Sequence, residues 1–240
     1  MALAIRKREY DHHTEKIHSA GGHSVRDLML GLNDGLVASF AVTSGVAGAF
    51  TTGNIAVMAG LSEMLGGAIS MGLAAFISAR SQIEFYLSEI QRERTEIDKF
   101  PERERDEIRE IYEAKGFTGK LLDQIVAHIT GDPERWSNVM MREELGFSED
   151  SFEPPVRSAF VVGGAYLAGA AVPVVPYLFM RPSVGIIVSA VTTVLVLFIV
   201  GAVKTIITTR PWWRSGLESM LTGIAAGGAT FLAGHLFASR

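Results

Sequence analysis

Two carboxylates, Asp34 and Glu63, lie inside stretches of chain otherwise almost free of charge. A carboxylate in hydrocarbon is expensive, so one found there usually faces a polar pathway or a partner group. For one isolated acid, an interhelical hydrogen bond that fixes packing is an equally good explanation. Two acids on adjacent segments, with no Lys or Arg at matching depth, point instead to a site for a cation or a proton. Met71 follows Glu63 by eight residues, roughly two helical turns, and a thioether is a soft ligand suited to late transition metals. Taken alone, a methionine in an apolar helix is more often packing.

A second group of acids lies in the polar middle of the chain. Glu93 and Glu96 are three residues apart, and Glu104 and Glu107 repeat that spacing on the next predicted helix. Paired E-x-x-E motifs on antiparallel helices can aim four carboxylates into one space, as in carboxylate-rich iron and manganese sites. Arg92, Arg94, Arg103 and Arg105 support the plainer alternative of a solvated face laced with local ion pairs, which spacing alone favours. Met140, Met141 and Glu144 add soft and hard ligands at helical spacing within a polar segment, where adjacent methionines are harder to explain as core.

The elements that must position these residues are helices. Five segments carry the roughly 20 apolar residues needed to cross a bilayer: Leu28–Phe50, Ile55–Ala79, Ser158–Met180, Val184–Val203 and Trp212–Leu236. Pro173 and Pro176 should bend the third, and Trp212 and Trp213, flanked by Arg210 and Arg214, read as an interfacial anchor of the fifth. Between spans two and three, Ser81–Lys99 continues span two, and Phe100-Pro101 breaks it. Pro101 then opens a helix to Lys115, with Gly116 as its stop. Thr118 should cap a helix over Gly119–Thr130 closed by Gly131, and Asp132-Pro133 should open another to about Leu145. Gly31/Gly35 and Gly223/Gly227 have the spacing of close helix contacts.

Composition agrees with this division. Of 26 acidic residues, 19 fall between Arg80 and Arg157, so the chain alternates apolar blocks with one acidic, water-facing block. The 22 basic residues give no excess that would suggest nucleic acid as a partner. Cysteine is absent, which excludes disulfides, iron–sulfur clusters and thiolate metal sites and leaves oxygen, imidazole or thioether ligands. The amino-terminal stretch is polar, with no signal-peptide core, so the first span should do the targeting. Its His12, His13, His18 and His23 read as an ordinary flexible tail. Basic residues in the connections place the amino terminus and the central block in the cytoplasm. Lys204 and Glu218, near cytoplasmic ends, can snorkel or pair, and His235 has no assigned role.

The reading is therefore an all-α integral membrane protein with five transmembrane helices and a cytoplasmic helical domain. It divides into a tail (1–26), spans one and two (27–79), the cytoplasmic helical domain (80–156) and spans three to five (157–240).

The runs LMLGLNDGLVASFAVTSGVAGA and LSEMLGGAISMGLAAFISARSQIEF, the E-x-x-E pairs and MMREELG resemble the vacuolar iron transporter family over residues 24–237, in its prokaryotic form. That resemblance implies a homodimer that exchanges ferrous iron for protons along a path at the dimer interface. It matches Asp34, Glu63 and Met71 to the transport path. It matches Glu93, Glu96, Glu104, Glu107, Met140, Met141 and Glu144 to a cytoplasmic metal-binding domain, reversing the preference for a merely solvated face. One departure is Leu73-Ala74-Ala75, where many members carry an acidic residue, so the proton stoichiometry can differ.

The expected function is export of ferrous iron from the cytoplasm in exchange for protons, without enzymatic activity or a permanent cofactor. Fe2+, with Mn2+, Co2+ and Zn2+ as rivals, is the bound and transported ion. The expected place is a prokaryotic inner membrane, or the vacuolar membrane in a eukaryote. A manganese or broad divalent exporter is the alternative with the same architecture. A membrane-anchored carboxylate iron oxidase would want Glu-x-x-His pairs, and Glu93–Glu144 contains none. A passive metal buffer gives no reason for Asp34 and Glu63.

Overall fold

The computed structural model describes residues 12–50, 53–146, 152–206 and 210–238, and every regular element among them is helical. In chain order they are α1 (His12–Ala49), α2 (Gly53–Lys99), α3 (Pro101–Ala114), α4 (Gly119–Thr130), α5 (Pro133–Glu143), α6 (Pro155–Phe179), α7 (Pro182–Val203) and α8 (Trp212–Ala238), with a 3-10 turn at Lys204–Ile206. The chain forms two compact units, one of Met1–Ala20 with Ser78–Pro154, the other of Gly21–Ile77 with Pro155–Arg240.

Five helices are long and apolar enough to cross a membrane, within Val25–Ala49, Asn54–Lys99, Pro155–Phe179, Ser183–Val203 and Trp212–Ala238. The expected spans differ from these by a few residues at most ends; α1 begins well before its span, and α2 continues to Lys99 as expected. α1 starts at His12, so the segment read as a flexible tail is helical from there; the side chains of residues 12–24 are outside the described residues, and with them the histidine cluster. α2 runs unbroken for 47 residues. About 20 residues suffice to cross hydrocarbon, and the charge-poor first half of α2, Ile55–Ala79, supplies them; Arg80–Lys99, rich in Arg and Glu, lies beyond that span.

Glycine sets the packing of the apolar unit. A Cβ on Gly31 would come within 2.3 Å of the Val162 carbonyl oxygen, and one on Gly35 within 2.2 Å of the Tyr166 carbonyl oxygen. α1 and α6 therefore touch backbone to backbone, as small residues permit between membrane helices. Gly223 accommodates Leu197 of α7 and Gly227 accommodates the Phe40 ring, so both expected glycine pairs are contact points. α6 continues through Pro173 and Pro176. At the start of α8, Arg214 stacks over the Trp213 ring at 5.0 Å, and the exposed Arg210 and Glu218 pair at 3.7 Å.

The acidic unit is a small helical bundle with its own core of Ile97, Ile108, Leu122, Val126, Ile129, Trp136 and Met140. Pro101 is at the first turn of α3 and Asp132 caps α5, its side chain accepting from the Arg135 amide at 2.7 Å. α4 has the expected bounds, but Thr118 makes no side-chain cap bond. Gly116 and Gly119, at φ 94° and 58°, set the chain direction there instead. Gly131 closes α4 as its C-cap, in right-handed conformation with φ −75°, its amide donating to the Ala127 carbonyl at 3.1 Å, and the Asp132-Pro133 step follows.

Candidate functional site

Two constellations emerge, one in each unit. In the acidic unit, α2 carries Glu93 and Glu96, and α3 carries Glu104 and Glu107. One oxygen each of Glu93, Glu96 and Glu104 can be chosen so that all three lie within 4.8 Å of one another. Glu93 is 4% exposed and Glu104 1%, and neither Glu93 Oε1 nor Glu104 Oε2 accepts a hydrogen bond. Buried carboxylate oxygens without donors are rare, because the lost hydration goes uncompensated. One turn beyond each stand Ile97 and Ile108 of the core, so the inner carboxylates sit directly beside apolar packing.

The electrostatics reflect this arrangement. Burial pushes the Glu93 carboxyl up to about 7, helped by the charges of Glu104, Glu144, Glu96 and Glu107. Glu104 is raised by burial, then by Glu107 and Glu96, against the pull of Arg103. Glu144, just past the end of α5, is raised by burial and by Glu107 and Glu96, with Arg92 and Arg103 opposing. The five glutamates singled out in the sequence therefore converge on one region. The local ion pairs that the solvated-face alternative expects involve the outer members: Arg92 pairs with Glu96 at 3.5 Å and Arg103 with Glu107 at 3.1 Å.

Met140 and Met141 are both buried on the inner face of α5, beside Trp136 and Ser137. Met140 belongs to the apolar core, so it packs, as most methionines in helices do. It is also one turn before Glu144, on the same side of the chain.

In the apolar unit, Glu63 on α2 is hydrogen-bonded: the Tyr166 hydroxyl of α6 donates to its Oε1 at 2.6 Å. Asp34 on α1 lies close enough to Glu63 to repel its charge. Asp34 is exposed on the isolated chain, and it lines a groove of about 450 Å³ together with Arg26, Asn33, Lys204, Glu218 and Thr222. A polar groove is where a carboxylate inside a span can remain hydrated. Met71 is half-buried on α2, two turns from Glu63.

Sequence reasoning missed Tyr166. It sits in an uncharged span, where a lone tyrosine looks like packing, and only the three-dimensional crossing of α2 and α6 reveals its partner. Gly67 makes that crossing possible, since a Cβ there would fall 2.3 Å from the Tyr166 hydroxyl oxygen. A second hydroxyl–carboxylate pair, equally unforeseen, lies earlier on α6: Ser158 Oγ donates to Asp27 Oδ2 at 2.6 Å, with Asp27 buried.

Comparison with known proteins agrees with this layout. The sequence model of the VIT family matches residues 25–235. Vacuolar iron transporter 1 of Arabidopsis thaliana is 36% identical, over 92% of this chain and 88% of that protein. Vacuolar iron transporter 2 of Oryza sativa subsp. japonica is 35% identical, over 92% and 90%. Protein CCC1 of Saccharomyces cerevisiae is 31% identical, over 86% of this chain and 67% of the yeast protein. With both the family model and these relatives covering most of its length, the chain belongs to the VIT family of multi-pass membrane proteins.

Proposed function

We propose that this protein is a metal-ion transporter that moves ferrous iron out of the cytoplasm in exchange for protons. Its relatives are named iron transporters, and its site chemistry fits such cargo. The observation that carries the reading is the pair of buried, undonated oxygens of Glu93 and Glu104 beside Glu96. A divalent cation supplies the positive charge this group lacks, and carboxylate oxygens suit Fe2+ and Mn2+ alike.

In this reading the acidic helices form a cytoplasmic domain that captures the ion. Glu93, Glu96, Glu104, Glu107 and Glu144 are its hard ligands, Met141 supplies a thioether at its inner edge, and Met140, packed in the core, backs that face. The ion then passes to Asp34, Glu63 and Met71 in the spans. Tyr166 holds Glu63 in one rotamer, its hydroxyl on one carboxylate oxygen, which leaves the other oxygen for the ion. Protonation of the carboxylates on the far side releases the metal, since a carboxylate binds either a proton or a share of the cation. A second copy of the chain would cover the exposed stripe of Leu65, Ile69, Leu73 and Ile77 on α2.

The test is metal flux in liposomes holding purified protein, with and without a pH gradient. Wild type should accumulate Fe2+ on the acidic side, and Asp34→Asn or Glu63→Gln should abolish that accumulation. Undiminished flux in both variants would remove these residues from the path. Competition among Fe2+, Mn2+, Co2+ and Zn2+ in the same vesicles fixes the selectivity.

A further inference from the structure

The apolar unit contains a second polar cluster, without any charge. Ser39 and Thr43 are one turn apart on α1, Ser189 and Thr193 one turn apart on α7, and all four are buried. Between them stands Tyr177 of α6, 7% exposed, whose hydroxyl lies near those of Thr43 and Ser189. Thr43 Oγ1 donates to the Ser39 carbonyl at 2.7 Å, and Ser189 Oγ to the Pro173 carbonyl at 2.7 Å. Their own protons are thus committed, and the single Tyr177 O–H can donate to only one of them at a time.

The other two hydroxyls are orphans. Ser39 Oγ and Thr193 Oγ1 are fully buried and have no hydrogen-bond partner. Consecutive spans alternate in direction, so α1 and α7 run antiparallel, and Ser39 and Thr193 are displaced from the Tyr177 junction towards the same side. On that side, Asp34 of α1 and Val200 and Gly201 of α7 line one groove. The orphans therefore stand between the Tyr177 junction and the groove holding Asp34. Tyr177 itself is in the last turn of α6, near the opposite end of that span.

A buried hydroxyl in a membrane helix ordinarily donates to the carbonyl one turn back, as Thr43, Thr192 and Thr230 do here. Two that do not, at corresponding depths on α1 and α7, have the chemistry that retains internal water. We propose that Ser39, Thr43, Tyr177, Ser189 and Thr193 form a water-binding site that conducts protons through the α1–α6–α7 junction, beside the carboxylate path rather than along it. The proposal rests on the proton exchange proposed above. In each step a hydroxyl or water accepts a proton on an oxygen lone pair and releases its own to the next oxygen. One proton moves from one aqueous phase to the other, and each oxygen ends with the protons it began with.

Two measurements on the full chain test this. The first is X-ray hydroxyl-radical labelling, which modifies a buried side chain only where bound water lies beside it. Tyr177 should be labelled in the wild type and protected at least fivefold in the double variant Ser39→Ala with Thr193→Val. An unlabelled wild-type Tyr177 overturns the water site. The second compares two fluxes in liposomes: proton-coupled Mn2+ uptake, followed with a pH dye, and exchange of radiolabelled for unlabelled Mn2+ without a gradient. The double variant should lose proton-coupled uptake at least fivefold while keeping metal-for-metal exchange, and Ser39→Thr with Thr193→Ser should restore coupling. Unchanged coupling in the double variant overturns the relay. Loss of both fluxes overturns it too, by showing a purely structural role. A wild type that moves Mn2+ without any proton movement is a different result, and refutes the proton exchange itself.

Discussion

The Tyr166 hydroxyl and Glu63 Oε1 are 2.6 Å apart, a charge-assisted hydrogen bond between α6 and α2 within the spans. Such bonds are worth roughly 1.5–3 kcal/mol, enough to hold one carboxylate rotamer. Tyr166→Phe keeps the ring and removes the donor. Transport of Fe2+ in liposomes should fall about tenfold, while metal binding at the acidic helices is unchanged. Equal flux in the variant and the wild type would show that the bond is incidental to transport.

Gly67 offers an independent route to the same contact. A Cβ there would meet the Tyr166 hydroxyl oxygen and two ring carbons at 2.3–2.4 Å, and a core aromatic cannot absorb that without moving. Gly67→Ala should reduce flux at least as far as Tyr166→Phe does. Adding Tyr166→Phe to Gly67→Ala should cause little further loss, which a double-mutant comparison of transport rates will read.

The buried glutamates set binding against stability. Glu93→Gln or Glu104→Gln removes a charge whose inner oxygen has no hydrogen-bond donor. Each variant should bind Mn2+ at least tenfold more weakly by calorimetry, yet the metal-free protein should resist denaturation better than the wild type. A variant that loses both binding and stability would show these side chains to be structural.

The pH dependence has a definite sign. Glu93 holds its proton up to about 7 in the folded chain, against 4.5 for an ordinary glutamate. Between those values the folded state binds more protons than the unfolded one, so stability falls as pH rises. Above pH 7 the loss from this group levels off at roughly 3 kcal/mol, because each tenfold difference in proton affinity between the two states is worth about 1.4 kcal/mol. Denaturation followed by tryptophan fluorescence, with Trp136 buried in this unit, should show the metal-free protein weakening over that window. Saturating Mn2+ should reverse the trend and release protons on binding. Stability that rises with pH across the same window would contradict the assignment.

Much of this was legible in the residues. Uncharged runs marked the spans, because few other environments tolerate them, and Phe100-Pro101 and Asp132-Pro133 marked helix starts through the covalent constraints of proline. Glu93 and Glu104 could be suspected from spacing but not separated from Glu96 and Glu107. All four look alike in sequence, and only the packing of α2 on α3 decides which pair loses its water. Met140 reads as a ligand in a polar segment, yet α5 turns that face to Ile97 and Ile108. Tyr166 and the Ser39–Thr193 cluster carried no signal at all. Hydroxyl-bearing side chains are cheap in an apolar helix, and their meaning lies in which neighbour they meet.

The repulsion among the five converging glutamates has a consequence for selectivity. An ion bearing one positive charge relieves only part of it, whereas a doubly charged ion of similar size relieves about twice as much at the same distance, since Coulomb energy scales with the product of charges. Potassium and sodium, however abundant, would leave the group still strained. Under the proposed function, the arrangement would sort ions by valence before ligand softness or coordination number comes into play, leaving Met141 only the finer choice among transition metals.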